Sequence, residues 1–368
     1  MLPVIYFDAN ATEPLRPQAL EAMLQAASLC GNPSSVHQAG RQARKLLDDA
    51  RKRIARHFDA EDDNCVFTSG GTEACALAIH ALQQENGPRR VIIGATEHDA
   101  VRQACAETTI LPVDANGQIN PADLERTLAE DQSPALVCLM LANNETGVLH
   151  PVAEAGRICA QYGALLHIDA VQAAGRVPVS VTSPGVTSLA ISGHKFGSPK
   201  GAGALLLAGG GARQLAPLFA GGGQERGRRG GTPALPAIYA MAAALDAAVA
   251  DQEQRTQQQT RFRDRIDAAA KASGSVVIGE NSPRLPNTTS LATPGIRAEA
   301  RLITMDMAGI CISSGSACSS GKIGRRSHVL EAMNTGELAD CAVRVSLPWN
   351  VTEDEVTQFI SIWTRPAR

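Results

Sequence analysis

A lysine, an aspartate and a glycine-rich turn each follow a short apolar segment, and together they could hold an aldehyde cofactor that carries a phosphate. Lys195 follows one such segment, and its amine could form a Schiff base with an aldehyde. Asp169 closes the apolar run 164–169, where a carboxylate could pair with a pyridinium nitrogen. Residues 69–73 place two glycines before a helix, whose first N–H groups favour phosphate. Each feature also has an ordinary interpretation: a surface lysine, a turn aspartate, and Thr72 as a helix-start residue.

Cys318 lies in a run of small polar residues, 312–322, that is typical of an exposed loop. Lys322, Arg325 and Arg326 follow it, and cationic neighbours lower a thiol pKa and favour the nucleophilic thiolate. The alternative is an unreactive loop cysteine. The run also imitates a phosphate-binding P-loop, but its glycine spacing and the residue after the lysine do not match that motif.

Three further features could bind ligands. Arg344 alternates with apolar residues over 342–346 and could clamp a carboxylate with its forked guanidinium, or it could be a charge on an edge strand. The stretch 221–232, rich in glycine and arginine, is predicted to present N–H groups and arginine to an anion rather than to bind nucleic acid. His167 and Asp169 share one face of a strand, but no third ligand is evident, so we predict no metal site.

The composition is that of a globular protein with about two domains. The chain has 368 residues, of which 44% are apolar and 19% charged, and its formal net charge is −3. This charge argues against a stable nucleic-acid partner. The N-terminus does not resemble a signal peptide and no apolar run could span a membrane, so we expect a cytoplasmic protein without a membrane partner. The nine scattered cysteines contain no C-x-x-C motif and fit buried thiols better than disulfides or a zinc site.

Short apolar runs alternate with helical stretches between residues 65 and 192. This alternation predicts an α/β fold with a largely parallel sheet that helices cover on both faces. Ligands of such sheets bind at the carboxyl ends of the strands. The lysine, the aspartate and the glycine-rich turn all occupy such positions, so we expect them to meet at one edge of the sheet.

A long helical region rich in alanine and glutamine, 233–271, leads out of this first domain. We therefore predict a large domain over residues 15–250 and a smaller α+β domain formed by 1–14 and 251–368. The small domain would carry the loop with the cysteine nucleophile, at about 313–326.

Ten short motifs, all in the same order along the chain, closely resemble those of the cysteine desulfurases of the NifS/IscS-like kind (group I), within the class V aminotransferase superfamily. These motifs are residues 8–12, 31–35, 67–73, 97–98, 143–147, 167–172, 192–195, 222–227, 313–318 and 344–347. The resemblance covers essentially the whole chain. It implies fold-type I of the pyridoxal 5′-phosphate (PLP) enzymes, with a mostly parallel, seven-stranded type of sheet in the large domain.

The resemblance also implies a role for each residue around the PLP ring. Lys195 would bind PLP covalently, and Asp169 would pair with the pyridine nitrogen. His98 would stack on the ring and help to move protons. Gln172 and Asn144 would approach the phenolic oxygen of the ring.

The remaining implied roles concern the phosphate, the substrate and the sulfur. The residues that would hold the phosphate are Gly71, Thr72, Ser192 and His194. Thr232 would reach the cofactor phosphate of the other subunit, which implies a homodimer. Asn144 and Arg344 would hold the carboxylate of L-cysteine. Cys318 would take the substrate sulfur as a persulfide and pass it to an acceptor protein, leaving L-alanine.

Two departures from the family pattern leave the sulfur acceptor open. The chain ends soon after Arg344, where relatives that serve iron–sulfur scaffolds carry a longer tail, and the residues after Cys318 are more basic than usual. Cluster assembly, tRNA thiolation, cofactor sulfuration and DNA sulfur modification are all compatible with the sequence. The alternatives for the activity are a selenocysteine lyase, another class V aminotransferase or lyase, and a non-catalytic sulfur-relay or partner-binding protein.

Overall fold

The computed structural model describes residues 4–314 and 326–365. Cys318 and most of the predicted loop at 313–326 lie outside these ranges. The described chain contains two sheets of four or more strands and a short parallel pair.

A seven-stranded sheet forms the centre of the molecule, and its apolar strands are buried on both faces, as expected of a parallel sheet between helices. Its strands are β2 (Cys65–Thr68), β3 (Arg90–Gly94), β4 (Thr109–Leu111), β5 (Ala135–Met140), β6 (Leu165–Asp169), β7 (Val186–Ser192) and β8 (Gly203–Leu207). The spatial order is β2-β8-β7-β6-β5-β3-β4. Only β8 runs antiparallel to its neighbours, so the mostly parallel sheet of the α/β prediction is confirmed.

Helices cover both faces of this sheet. They are α1 (Pro17–Ala27), α2 (Gln38–His57), α3 (Gly71–Leu82), α4 (Asp99–Arg102), α5 (Pro121–Glu130), α6 (Val152–Gln161) and α7 (Leu235–Ala250). Successive residues of β5 join different clusters: Val137 and Leu139 pack with α1, α2 and α7, whereas Leu136 and Cys138 pack with α3. This alternation follows from the two-residue period of a strand. Helix α3 covers the face that carries Leu136 and Cys138, and the N-terminus of α3 lies near the carboxyl ends of the strands.

A second group of elements follows α7. It consists of α8 (Gln252–Ala272), β9 (Val276–Ile278), β10 (Thr288–Ala292), α9 (Ala298–Met307), β11 (Ile310–Cys311), β12 (Ser313–Ser314), α10 (His328–Ala332), β13 (Ala342–Ser346) and α11 (Glu353–Trp363). Its four-stranded sheet has the order β12-β13-β10-β9 and shares an apolar core with α8, α9 and α11. The predicted boundary near residue 250 stays a prediction.

The N-terminal segment joins this second group. Strand β1 (Ile5–Tyr6) pairs in parallel with β11, and Asp8 forms a bridge with Ser346 at the end of β13. The backbone N–H of Ala9 then donates to the carbonyl of Ser346 at 3.0 Å. Residues 5–10 therefore pack along the second group of elements, and the chain enters the large sheet only after them.

Some sequence predictions need correction. The predicted helical region 233–271 is confirmed and consists of two helices, which meet at Asp251. Strands β4, β8, β9 and β12 were not predicted, since they are short or carry no period of their own. The edge-strand interpretation of Arg344 is wrong, because β13 lies between β12 and β10. No helix within residues 4–314 and 326–365 is long and apolar enough to cross a membrane.

Candidate active site

A cavity of about 410 Å³ opens at the carboxyl ends of β5, β6 and β7, opposite the start of α3. The structure brings nine of the predicted residues to its lining: Gly71, Thr72, His98, Asn144, Asp169, Gln172, Ser192, His194 and Lys195. Asp169 and Ser192 are the last residues of β6 and β7, so the strand ends position them directly. The expectation that these groups meet at one edge of the sheet agrees with this arrangement.

Helix α3 supplies one end of the cavity. Its first N–H groups have no acceptor within the helix and carry its positive dipole end. Thr72 does not cap the helix, because Gly70 occupies that position and α3 begins at Gly71. A side chain at Gly71 would place its Cβ 2.5 Å from Cγ2 of Val171, so the close packing of the helix start against Val171 requires glycine here.

Asp169 supplies a carboxylate at another part of the cavity. Burial raises its pKa, while the hydrogen bond from the backbone N–H of Val171 and the nearby His98 and Lys195 side chains act in the opposite direction. One carboxylate oxygen accepts a 2.9 Å hydrogen bond from the backbone N–H of Val171, which is the turn contact of the ordinary interpretation. The buried charge would be stabilised further by a cation inside the cavity.

Lys195 is held on the cavity side of the N-terminal segment. Its Nζ donates to the carbonyl oxygens of Asn10 at 2.6 Å and Ala11 at 3.0 Å. The Asn10 carbonyl also accepts from Nε2 of Gln172 at 3.0 Å. Two predicted site residues therefore share one backbone acceptor.

Asn10 itself is a site residue that the sequence reasoning did not single out. Its side-chain Nδ2 donates to the carbonyl of Asn144 and to the hydroxyl of Thr288, both at 3.0 Å. Its backbone N–H donates to the Ser346 hydroxyl at 3.0 Å. The only signal in the sequence was its place inside the motif 8–12.

Two histidines of the cavity are oriented by their neighbours. Nδ1 of His98 accepts a hydrogen bond from the backbone N–H of Ala100 at 3.0 Å, so a neutral ring carries its proton on Nε2. Nδ1 of His194 lies 3.2 Å from the Thr12 hydroxyl. Burial, and then the charges of Lys195 and Lys200, lower the pKa of His194 to about 4, so this ring is neutral at pH 7.

Arg344 lies beside the cavity lining rather than in it. Its Nη2 pairs with a carboxylate oxygen of Asp8 at 2.7 Å, and its Nη1 donates to the backbone carbonyl of Asn144 at 3.1 Å. The guanidinium is almost fully buried, and its Nε has no hydrogen-bond partner among the described residues. The arginine is thus a buried, forked donor whose present partner is a carboxylate.

Thr232 lies in a smaller neighbouring cavity of about 90 Å³. Ser69 and Gly201 line both cavities, so the two adjoin. The carboxylate of Glu73 accepts from the backbone N–H of Ser69 at 2.7 Å and from Nε of Arg229 at 2.8 Å. The second contact connects the stretch 221–232 to α3. The arginines of that stretch contact carboxylates and backbone carbonyls of this chain.

No group of three or more His, Cys, Asp or Glu side chains that could hold a metal ion occurs within residues 4–314 and 326–365. His167 instead packs in the core, where its Nδ1 lies 2.8 Å from the Ser188 hydroxyl. Burial lowers its pKa to about 3, which keeps the ring neutral.

Comparison with known proteins identifies the family. The model of the family "Aminotransferase class-V" matches residues 5–359. The chain belongs to the class-V aminotransferase family. This member is 36% identical to the cysteine desulfurase IscS of Dictyoglomus turgidum over 98% of its length and 94% of the relative.

Two solved structures place this class-V member among known folds. A NifS-like protein from Rickettsia africae is 31% identical, covers 98% of both chains and has a TM-score of 0.89. The structure named SspA in complex with cysteine is 28% identical, covers 94% of this chain and 99% of that chain, and has a TM-score of 0.80. Fold-type I, implied by the resemblance, is confirmed by these neighbours.

Members of the class-V family are PLP-dependent, and the cofactor of this enzyme is PLP. The cavity fits that group chemically. The N-terminus of α3 at Gly71 and Thr72 faces the cavity with N–H groups that suit a phosphate, and the buried carboxylate of Asp169 suits a protonated ring nitrogen. The amine of Lys195 lines the same cavity and can reach an aldehyde there.

Proposed function

We propose that this class-V member is a cysteine desulfurase, which converts L-cysteine to L-alanine and transfers the sulfur to Cys318 as a persulfide and then to an acceptor. The observation that carries the proposal is that Lys195, Asp169 and the N-terminus of α3 line the same cavity. The relatives named cysteine desulfurase, which match over nearly the whole chain, support the choice of L-cysteine.

When bound, PLP supplies a protonated ring that withdraws the electrons left at the substrate Cα after its proton is removed. Asp169 would keep the ring nitrogen protonated, because a buried carboxylate is stabilised by a cation. The phosphate would be held by the N–H groups of Gly71 and Thr72, with Ser192 and His194 beside them.

Lys195 is the base in this proposal. The amine of Lys195, which lines the cavity, would take the proton from the substrate Cα. The carbonyls of Asn10 and Ala11, which accept from Nζ, give the amine a fixed resting position. His98, whose Nδ1 is occupied by the Ala100 N–H, would exchange protons through Nε2.

Arg344 and Asn144 would hold the carboxylate of L-cysteine. The forked guanidinium already binds one carboxylate, that of Asp8, at 2.7 Å, and a substrate carboxylate has the same geometry. Binding of the substrate would therefore require Asp8 to share or release the guanidinium.

The sulfur step needs a thiolate, which we assign to Cys318 from the family resemblance. The thiolate attacks the substrate sulfur and forms an S–S bond while the substrate Cβ–S bond breaks. The electron pair of that bond stays with the three-carbon fragment, which takes up a proton and leaves as alanine. No external oxidant is needed, because the sulfur is transferred at the expense of the C–S bond.

The same proposal includes a homodimer, in which Thr232 reaches the partner's cofactor phosphate, and a protein sulfur acceptor such as an iron–sulfur scaffold or a sulfur carrier. We also propose the cytoplasm as the location and a large PLP-binding domain over residues 15–250, with 1–14 and 251–368 as the small domain.

The test is paired measurement of alanine and sulfide from L-cysteine with a thiol reductant. The comparison is between wild type, Cys318→Ala and, as the matched control, Cys30→Ala, which removes a different cysteine, one that lies on the surface. We expect equal amounts of both products from wild type and Cys30→Ala. Cys318→Ala should keep the visible absorption of bound PLP and lose both products.

Other outcomes select other activities. Full activity of Cys318→Ala would contradict the persulfide step and favour another PLP reaction. Strong preference for selenocysteine over cysteine would indicate a selenocysteine lyase. Conversion of a keto acid independently of Cys318 would indicate an aminotransferase, and a protein without a PLP absorption band would indicate a non-catalytic role.

A further inference from the structure

The side-chain amide of Gln172 has only one orientation that satisfies its neighbours. Its Oε1 lies 2.5 Å from Nη1 of Arg176, and its Nε2 lies 3.0 Å from the backbone carbonyl of Asn10. A guanidinium can only donate and a backbone carbonyl can only accept. A rotation of the amide by half a turn would therefore place donor against donor and acceptor against acceptor.

Arg176 is held rigidly in the position from which it contacts Gln172. Its Nη2 donates to the carbonyl of Ala9 at 3.3 Å and pairs with a carboxylate oxygen of Glu13 at 3.2 Å. The other oxygen of Glu13 accepts from the backbone N–H of Trp349 at 2.6 Å. Both charged side chains are about 95% buried, so this guanidinium has little freedom to turn away.

We propose that Arg176 is a positioning residue, which fixes the Gln172 amide so that the cavity receives an N–H donor and not a carbonyl oxygen. The amide nitrogen carries two hydrogens, and Asn10 accepts only one of them. The second can serve an acceptor in the cavity that Gln172 lines. The inference rests on the proposed function, in which Gln172 approaches the phenolic oxygen of PLP.

The chemical consequence concerns the charge on that phenolic oxygen. An N–H donor stabilises the negatively charged form of an oxygen, whereas an opposing carbonyl oxygen destabilises it. The pH at which the visible absorption band of the PLP-loaded protein titrates reports this balance. A change in the Gln172 orientation should therefore move the titration midpoint, even where the fold is kept.

The experiment is a spectrophotometric pH titration of the PLP-loaded protein. Wild type is compared with Gln172→Ala, Arg176→Met, the double variant and Arg176→Lys. We expect Gln172→Ala and Arg176→Met to move the midpoint in the same direction, on the order of one pH unit. The double variant should match Gln172→Ala, and Arg176→Lys should stay close to wild type, because an ammonium group also only donates.

Arg255→Met is the matched control. Arg255 is another buried arginine of the same neighbourhood, but its partners are Asp251 and the carbonyls of Gly175 and Ala248, not Gln172. It should lower the thermal unfolding temperature and leave the titration midpoint unchanged. If Arg176→Met does not fold, Arg176→Gln replaces it. A glutamine can donate or accept, so it should give a midpoint between those of wild type and Gln172→Ala.

If Arg176→Met titrates with the wild-type midpoint while Gln172→Ala has a shifted midpoint, the inference is overturned. The desulfurase proposal would then remain intact. A wild-type midpoint for Gln172→Ala would overturn it as well, because Gln172 would then have no contact with the ring. Failure of the proposed function is seen separately, as the absence of equal alanine and sulfide from wild type.

Discussion

The cavity has two walls of different origin. The strand-end wall consists of Asp169, Ser192, Lys195 and the start of α3, each within a few residues of the end of a strand. What we call the N-terminal wall consists of residues 8–13 together with Arg344. These residues lie behind the cavity lining and contact its members Lys195, Gln172 and Asn144, and their contacts join remote parts of the chain. Asn10, for example, contacts Ser346, which lies 336 positions later.

Substitutions in the two walls should affect different properties of the protein, namely its chemistry and its stability. The strand-end wall is set by local backbone geometry, so removing one of its side chains should affect chemistry more than stability. The N-terminal wall is a network of buried hydrogen bonds, in which one lost partner leaves others unsatisfied. Substitutions there should lower both the stability and the affinity for cofactor or substrate.

The largest effect is expected from Lys195→Ala, in the strand-end wall. Loss of the base should reduce turnover of L-cysteine by about 10²- to 10⁴-fold, while the thermal unfolding temperature of the apoprotein stays near that of wild type. The measurements are steady-state alanine formation and a thermal melt. Lys200→Ala is the control, because Lys200 lines the same cavity and is exposed. Equal losses from the two variants would contradict the assignment.

Arg344→Lys should have the next largest effect, seen mainly in KM for L-cysteine. Lysine keeps the positive charge but loses the fork, and hydrogen bonds to charged groups contribute about 1.5–3 kcal/mol each. KM should therefore rise roughly tenfold to a hundredfold. Arg284→Lys is the control, because the Arg284 side chain is also largely covered and pairs with Asp267 at 2.7 Å in the second group of elements. An unchanged KM for Arg344→Lys would remove Arg344 from the substrate site.

Asn10→Ala tests whether the N-terminal wall couples stability to binding. The carbonyl of Asn144 and the hydroxyl of Thr288 would each lose one of their hydrogen bonds, which should cost about 1–3 kcal/mol in the free energy of unfolding. The affinity of the apoprotein for PLP should fall with it, as measured by a fluorescence titration.

Asn64→Ala provides the comparison for Asn10→Ala. Asn64 is fully buried, and its side chain contacts the carbonyl of Gly209 and the N–H of Arg213, away from the cavity. This variant should lose stability but keep its PLP affinity. A loss of affinity in both variants would mean that the coupling is not particular to the N-terminal wall.

The smallest effect on activity is expected from Glu97→Gln, and it should appear in the pH dependence of stability. Burial raises the pKa of Glu97 well above its ordinary value of 4.5, so the folded state keeps a proton that the unfolded state has lost. The stability from this group is present below pH 4.5 and is lost as the pH rises through the raised pKa. A glutamine does not titrate, so the unfolding temperature of the variant should increase relative to that of wild type as the pH rises. A constant difference would show that Glu97 titrates normally.

Sequence alone determined which functional groups this protein has and which of them follow strands. A strand end, a helix N-terminus and a glycine cradle are properties of a few consecutive residues. For this reason the local pattern is enough to predict the turn at 69–73, Asp169 and Lys195 at one edge of a parallel sheet. The family resemblance added Ser192, Gln172 and His98 to the same site.

Only the tertiary structure decided the N-terminal wall. Asn10 and Arg176 have no local pattern that marks them, because their partners lie in segments far away in sequence. The pairing of Arg344 with Asp8 likewise depends on the packing of β13 against the N-terminal segment. Hydrogen bonds of this kind form only when the whole chain has packed, so neither periodicity nor spacing can reveal them.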